Sequence, residues 1–99
     1  MTKDKTLIDL IEKLKLRINF NLIEIVNNWD ADLCAIGLKR QDRLVYLSTW
    51  NFADGIYEGY DYDFELLNEQ EPENSNVIKE ARNVKEEECI ADIAKFLDV

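Results

Sequence analysis

Residues 33–50 read LCAIGLKRQDRLVYLSTW, and this stretch determines the fold. Apolar runs at residues 33–38 and 44–50 flank a polar break at residues 40–42. Two such runs with a short polar break between them are typical of a β-hairpin. In the second run both alternating sets of side chains are largely apolar, which predicts a central strand.

A second alternating pattern follows the hairpin. Residues 53–55 predict a turn, and residues 60–66 then alternate between the apolar set Tyr60, Tyr62, Phe64, Leu66 and the acidic set Asp61, Asp63, Glu65. A period of two residues predicts a strand with its acidic side chains on the outer face. The proline-containing residues 68–76 predict a solvated loop, and residues 77–82 predict a short further strand.

Helical patterns lie at both ends of the chain. Apolar residues at three-to-four-residue spacing predict a helix at residues 5–17, where Asp4 or Thr6 can cap the start. A similar stripe predicts a helix at residues 85–97, with Asn83 and Glu86 in a capping arrangement. Residues 20–27 fit both helical spacing and alternation, and the β-branched and asparagine residues there favour a strand.

The order of these segments predicts one α+β domain over residues 1–99. We expect an antiparallel β-meander of about four to five strands, with an N-terminal and a C-terminal helix covering one face. The other face is then available to a partner. Cys34 and Cys89 fall among apolar residues and are expected to be buried free thiols, and Trp29 is expected to cover the edge of the core.

The charge of the chain is concentrated in its middle. Residues 51–76 contain eight acidic residues, five aromatic residues and no lysine or arginine, within a chain of net charge −9. Such an acidic chain is repelled by nucleic-acid phosphates and by anionic membrane surfaces, so its natural partner is a basic protein. The N-terminal residues lack a signal-peptide core, and no long apolar run follows, which predicts a cytoplasmic protein.

The residue types disfavour catalysis. The chain has no histidine, only two cysteines and three scattered glycines, so the common nucleophile pairs, zinc sites and phosphate-binding loops are not predicted. Asp61, Asp63 and Glu65 are the best remaining set for a hard cation, but a solvated strand face explains them more simply. We therefore predict no enzyme activity, no cofactor and no metal site.

The candidate binding residues follow from the acidic and aromatic segment. Aromatic side chains and concentrated charge of one sign are typical of protein interfaces. For Trp50 and Tyr60 the sequence leaves open whether the ring lies in the core or at an interface. The predicted partner-binding set is Trp50, Tyr57, Glu58, Tyr60, Asp61, Asp63 and Glu65.

Residues 32–50, DLCAIGLKRQDRLVYLSTW, with the arm RLVYLSTW continuing into the acidic, tyrosine-rich segment, resemble the small immunity proteins of bacterial contact-dependent growth inhibition and related polymorphic-toxin systems. The resemblance implies a cytoplasmic protein that binds the C-terminal toxin domain of a cognate effector, often a nuclease. It implies inhibition at the active site, although immunity proteins also bind elsewhere on their toxins.

The charge pattern is compatible with this resemblance on independent grounds. A nuclease presents a basic cleft to its substrate, and an acidic, aromatic face can occupy that cleft. The alternative from a different class is an adaptor or regulatory domain that binds a basic protein and neutralises no toxin. We expect the protein to be a monomer when alone, because the carboxylates of residues 60–66 oppose pairing of like strands.

Overall fold

The computed structural model describes residues 3–27, 31–68 and 70–99. In this part of the chain five antiparallel strands form one sheet in the order in which they occur along the sequence. The strands are β1 (Glu24–Val26), β2 (Ala35–Arg40), β3 (Arg43–Ser48), β4 (Tyr60–Leu66) and β5 (Asn76–Val84), and the helices are α1 (Lys5–Arg17), α2 (Trp50–Ala53) and α3 (Glu86–Leu97). The predicted α+β meander with a helix at each end is confirmed.

The hairpin formed by β2 and β3 is the centre of the sheet. Arg40 pairs with Arg43 across a two-residue turn, in which Gln41 has a φ of 55°. The predicted central strand is confirmed, because β3 is the third of the five strands. Its predicted end at Trp50 is wrong. Thr49 is fully buried and Trp50 is the first residue of a short helix, so the strand ends at Ser48.

The two terminal helices have the predicted extents within one residue, but only one has the predicted cap. The carboxylate of Asp4 accepts a hydrogen bond from the backbone N–H of Thr6 at the start of α1. Asn83 does not cap α3, whose N-cap is Lys85. Asn83 instead has a φ of 55° and accepts a hydrogen bond from the backbone N–H of Gly59.

The segment between α1 and the hairpin contains less strand than predicted. The expected strand at residues 20–27 is confirmed only at Glu24–Val26. A turn of 3-10 helix occupies Phe20–Leu22, and the side chain of Asn19 accepts the backbone N–H of Asn21 there. By contrast, β5 is longer than the predicted strand at residues 77–82, because it continues through Val84. The expectation for Trp29 lies outside the described residues.

The core lies between the helices and one face of the sheet. Leu10 of α1, Ile93 of α3, and Leu47 and Tyr62 of the sheet belong to one buried cluster. Cys34 and Cys89 are buried and free, as predicted. The opposite face of the sheet is less open than predicted, because the side chains Leu44, Ser48 and Asp61 on it are also buried.

Candidate functional site

Residues 50–58, which we call the α2 tip, form an exposed projection at one end of the sheet. The backbone N–H groups of Ile56 and Tyr57 both donate to the carbonyl oxygen of Asn51, at 2.9 and 3.0 Å. Gly55 has a φ of 77°, so this compact turn favours glycine. The turn leaves Trp50 58% and Ile56 62% exposed. Large apolar side chains grouped on a surface are typical of a protein-binding site.

Two acidic residues line the same surface depression as Trp50. A depression of about 170 Å³ lies beside the ring and is lined by Asp4, Cys34, Trp50, Ala53 and Asp54. The side chain and backbone of Thr6 donate hydrogen bonds to Asp4, which lowers the pKa of this carboxyl group. Asp4 is therefore negatively charged at neutral pH. The depression combines an aromatic wall with two acidic groups, a composition suited to a lysine or arginine side chain.

Asp61 supports the α2 tip from below. Its side chain is 8% exposed, and it accepts hydrogen bonds from the Asn51 side chain at 2.8 Å and from the backbone N–H of Asn83 at 3.0 Å. The predicted outer face is correct for Asp61, but its predicted exposure to solvent on that face is wrong. The bulge in β5 brings the N–H of Asn83 to this carboxylate, and Asn51 covers it. Asp61 joins the tip to the sheet and is not accessible to a partner.

Tyr60 lies in the core. Its side chain is 6% exposed, and its ring centroid is 4.9 Å from that of Phe52 in α2. Burial raises the pKa of its hydroxyl group. The sequence left open whether Trp50 and Tyr60 lie in the core or on the surface. In the structure Trp50 is exposed and Tyr60 is buried. Tyr57 is half-buried at the tip, and Glu58 beside it is exposed.

Asp63 and Glu65 lie farther along β4, on the face of the sheet away from the helices. Asp63 accepts a hydrogen bond from Arg82 of β5 at 2.7 Å, and this contact raises the pKa of the guanidinium group. Glu65 pairs in register with Leu44 and Val77 and has no salt-bridge partner among the described residues. The predicted binding residues thus fall into three groups in the structure. One group lies at the α2 tip (Trp50, Tyr57, Glu58), one is buried (Tyr60, Asp61), and one lies on the outer face of β4 (Asp63, Glu65).

Some acidic residues elsewhere are matched by nearby bases. Lys13 and Glu86 are 2.6 Å apart, and Arg17 and Glu87 are 3.1 Å apart, so α1 and α3 neutralise each other at their contact. In the described part of the chain Asp54 has no such partner, and the same is true of Glu58 at the α2 tip. The tip therefore carries negative charge that no base neutralises, on the same segment as the exposed apolar residues Trp50 and Ile56.

Several residues of this surface were missed by the sequence interpretation. Ile56, an apolar residue directly after the turn glycine, is the one that the pattern could have identified. Asp4 is more than forty positions away from the tip, and only the tertiary structure brings it to Trp50. Asn51 was missed because its role depends on the burial of Asp61.

The chemistry of the remaining polar groups offers no activated nucleophile at this surface. Burial raises the pKa of the Cys34 thiol, and it raises the pKa of the Cys89 thiol to about 12, so both stay protonated at neutral pH. Among residues 3–27, 31–68 and 70–99, no group of three or more acidic or cysteine side chains is arranged to hold a metal ion. The helices within these ranges are too short or too polar to cross a membrane.

The chain was compared with protein-family models, curated proteins and solved structures, and none of them matches it.

Proposed function

We propose that this protein is a cytoplasmic immunity protein that binds and neutralises the basic toxin domain of a cognate effector, a nuclease, through the α2 tip. The observation that carries the proposal is the exposure of Trp50 and Ile56 among the unmatched carboxylates of Asp54 and Glu58. Apolar anchors supply affinity at a protein interface, and surrounding charge steers a partner of opposite sign toward them.

The tip is suited to insertion into a basic cleft. A cleft that binds nucleic acid is lined by lysine and arginine, and the depression between Asp4 and Asp54 offers such a side chain two carboxylates and the face of Trp50. Charge pairs that are desolvated in an interface couple by about 1.5–7 kcal/mol in measured cases. An acidic tip in the cleft would exclude the nucleic-acid substrate by occupying its phosphate positions.

The hydrogen bonds that support the α2 tip favour a tip that is already ordered before a partner binds. Asn51 holds the turn through its carbonyl oxygen and holds Asp61 through its side chain, so the geometry of Trp50 is fixed before the partner arrives. A surface that is already ordered loses less conformational entropy on association than a flexible loop does. This feature supports tight binding through a small contact area.

The test is calorimetric titration of the protein with the C-terminal domain of the effector encoded immediately upstream, at low and at moderate salt. We expect nanomolar binding that weakens as the salt concentration rises, because salt screens charge attraction. Trp50→Ala should weaken binding by about tenfold or more, as truncation of an aromatic anchor does. Asp54→Lys should slow association and reduce the salt dependence.

Asp42→Lys is the matched control for Asp54→Lys. It makes the same change of charge in the turn between β2 and β3, at the opposite end of β3 from the α2 tip. Equal effects of the two variants would reject the tip as the contact surface. No binding to the upstream domain, with capture of another basic protein through the tip, would instead establish the adaptor alternative.

A further inference from the structure

A surface groove lies on the helix side of the sheet, and most of the charged side chains that line it are cationic. It has a volume of about 440 Å³ and runs between α3 and β5. Its floor is formed by Phe64 and Phe96, whose rings stack with centroids 4.3 Å apart at an angle of 2°. We call this feature the helix-side groove. It lies at the C-terminal end of α3, whereas the α2 tip lies at the other end of the sheet.

Apolar side chains continue from the floor to the rim of the groove. Ile78 is 53% exposed and Leu66 is 37% exposed, and both line it. Ile78 lies where the register of β4 and β5 shifts, and this irregularity turns its side chain toward α3. Together with the ring of Phe96 these side chains form an uncovered apolar strip.

Cationic side chains from three elements surround the apolar strip. The guanidinium carbon of Arg43 in β3 lies 5.7 Å from the centroid of Phe96, and the Nζ of Lys79 in β5 lies 5.6 Å from that of Phe64. Lys95 of α3 also lines the groove. Lys79 is paired with Asp92 at 2.9 Å. Neither Arg43 nor Lys95 has a carboxylate within salt-bridge distance among the described residues.

We propose that the helix-side groove binds an acidic segment of another protein that presents apolar side chains. The charge complementarity is local and opposite to the net charge of −9, so general solubility does not account for it. Asp92 also lines the groove and neutralises Lys79, so Arg43 and Lys95 are the two cations left for a ligand. A ligand with one carboxylate matches one of them, whereas a peptide segment with several acidic residues can match both. A second copy of this chain is disfavoured, because two chains of this net charge repel each other.

The site is independent of the proposed inhibition of a toxin. It lies on different elements from the α2 tip and takes a partner of the opposite charge. The protein could therefore hold a basic domain at the tip and an acidic segment in the groove at the same time. Loss of one interaction would leave the other measurable.

The test is fluorescence anisotropy with labelled peptides and the full chain at physiological ionic strength. At that salt concentration the Debye length is about 8 Å, so distant carboxylates of the protein repel the peptide little. The probe is EEFEEFEE, and its control EESEESEE has the same charge without the aromatic side chains. We expect the phenylalanine peptide to bind and the serine peptide to bind at least several-fold more weakly. Equal binding of the two peptides would reject the apolar strip as part of the site.

Variants of the protein test the charge. Lys95→Glu should lower the affinity of the protein for the phenylalanine peptide about three- to tenfold, because it replaces an exposed charge attraction with a repulsion. Lys85→Glu is the matched control, since it makes the same change of charge at the other end of α3. An equal effect of both variants, or no binding of either peptide, would overturn the proposal. Self-association of the wild type that Lys95→Glu abolishes would assign the groove to a second copy and would also overturn it.

Discussion

Replacement of Asp61 by alanine tests whether this residue supports the α2 tip or belongs to its surface. The substitution removes the acceptor of two hydrogen bonds, from the Asn51 side chain at 2.8 Å and from the backbone N–H of Asn83 at 3.0 Å. A hydrogen bond to a charged group contributes about 1.5–3 kcal/mol to stability, and water can replace part of it at a site near the surface. We therefore expect the free energy of unfolding to fall by about 2–4 kcal/mol.

Asp54→Ala is the matched control, since it removes one negative charge from the same region without removing a buried contact. Relief of charge repulsion is common to both variants, and an exposed substitution of this kind changes stability by about 0.5 kcal/mol or less. Asp61→Asn retains an acceptor for Asn83 but directs an amide toward the Asn51 side chain. Its stability should therefore lie between those of the wild type and Asp61→Ala.

Urea unfolding followed by circular dichroism measures these differences, and hydrogen exchange locates them. The amides of Ile56 and Tyr57 donate to the carbonyl oxygen of Asn51, so their exchange should accelerate more than that of the central hairpin. A loss of stability in Asp61→Ala no larger than that in Asp54→Ala would refute the reasoning. Unchanged exchange at Ile56 and Tyr57 would show that the tip does not depend on Asp61.

Two further predictions concern the stability of the fold. A Cβ atom at Gly59 would lie 2.5 Å from the carbonyl oxygen of Val84. Gly59→Ala should therefore lower the free energy of unfolding, measured by urea titration, by about 1–3 kcal/mol. Gly55→Asn should have little effect, because Gly55 has a positive φ that asparagine tolerates. Hydrogen bonds from Tyr62 and Lys79 lower the pKa of Asp92 in the folded protein. The stability that this carboxylate contributes is therefore fully present above its unfolded pKa of about 4. It is lost as the pH falls through the lower pKa of the folded state. Unfolding measured between about pH 5 and pH 2 should therefore depend less steeply on pH in Asp92→Asn than in the wild type, and equal slopes would contradict this.

The elements with a regular pattern could be predicted from the sequence. The alternation in residues 60–66 identified β4 and directed Tyr62 and Phe64 toward the core, where they lie. The apolar spacing likewise identified α1 and α3. These predictions succeed because burial of one face is imposed by the period of the backbone itself. The immunity function and its partner remain predictions.

The site residues were harder to predict, because their environment depends on contacts between distant elements. A four-residue helix such as α2 is too short to show a period, so Trp50 was assigned to a strand. Alternation assigned Asp61 to the outer face correctly, but the bulge of β5 and the side chain of Asn51 bury it there. Phe64 and Phe96 are 32 positions apart, and no local pattern indicates that their rings form the floor of a groove.

The distribution of ion pairs explains how so acidic a chain can be stable and still present a charged surface. Where α1 meets α3, two acidic residues have basic partners, in the pairs Lys13–Glu86 and Arg17–Glu87. Such exposed pairs contribute little stability, at about 0–1 kcal/mol each, but they remove repulsion beside the core. At the α2 tip, by contrast, Asp54 and Glu58 have no basic partner among the described residues, so their repulsion is not relieved within the chain. A basic protein bound there would relieve this repulsion, so the charge that disfavours the isolated tip favours its complex.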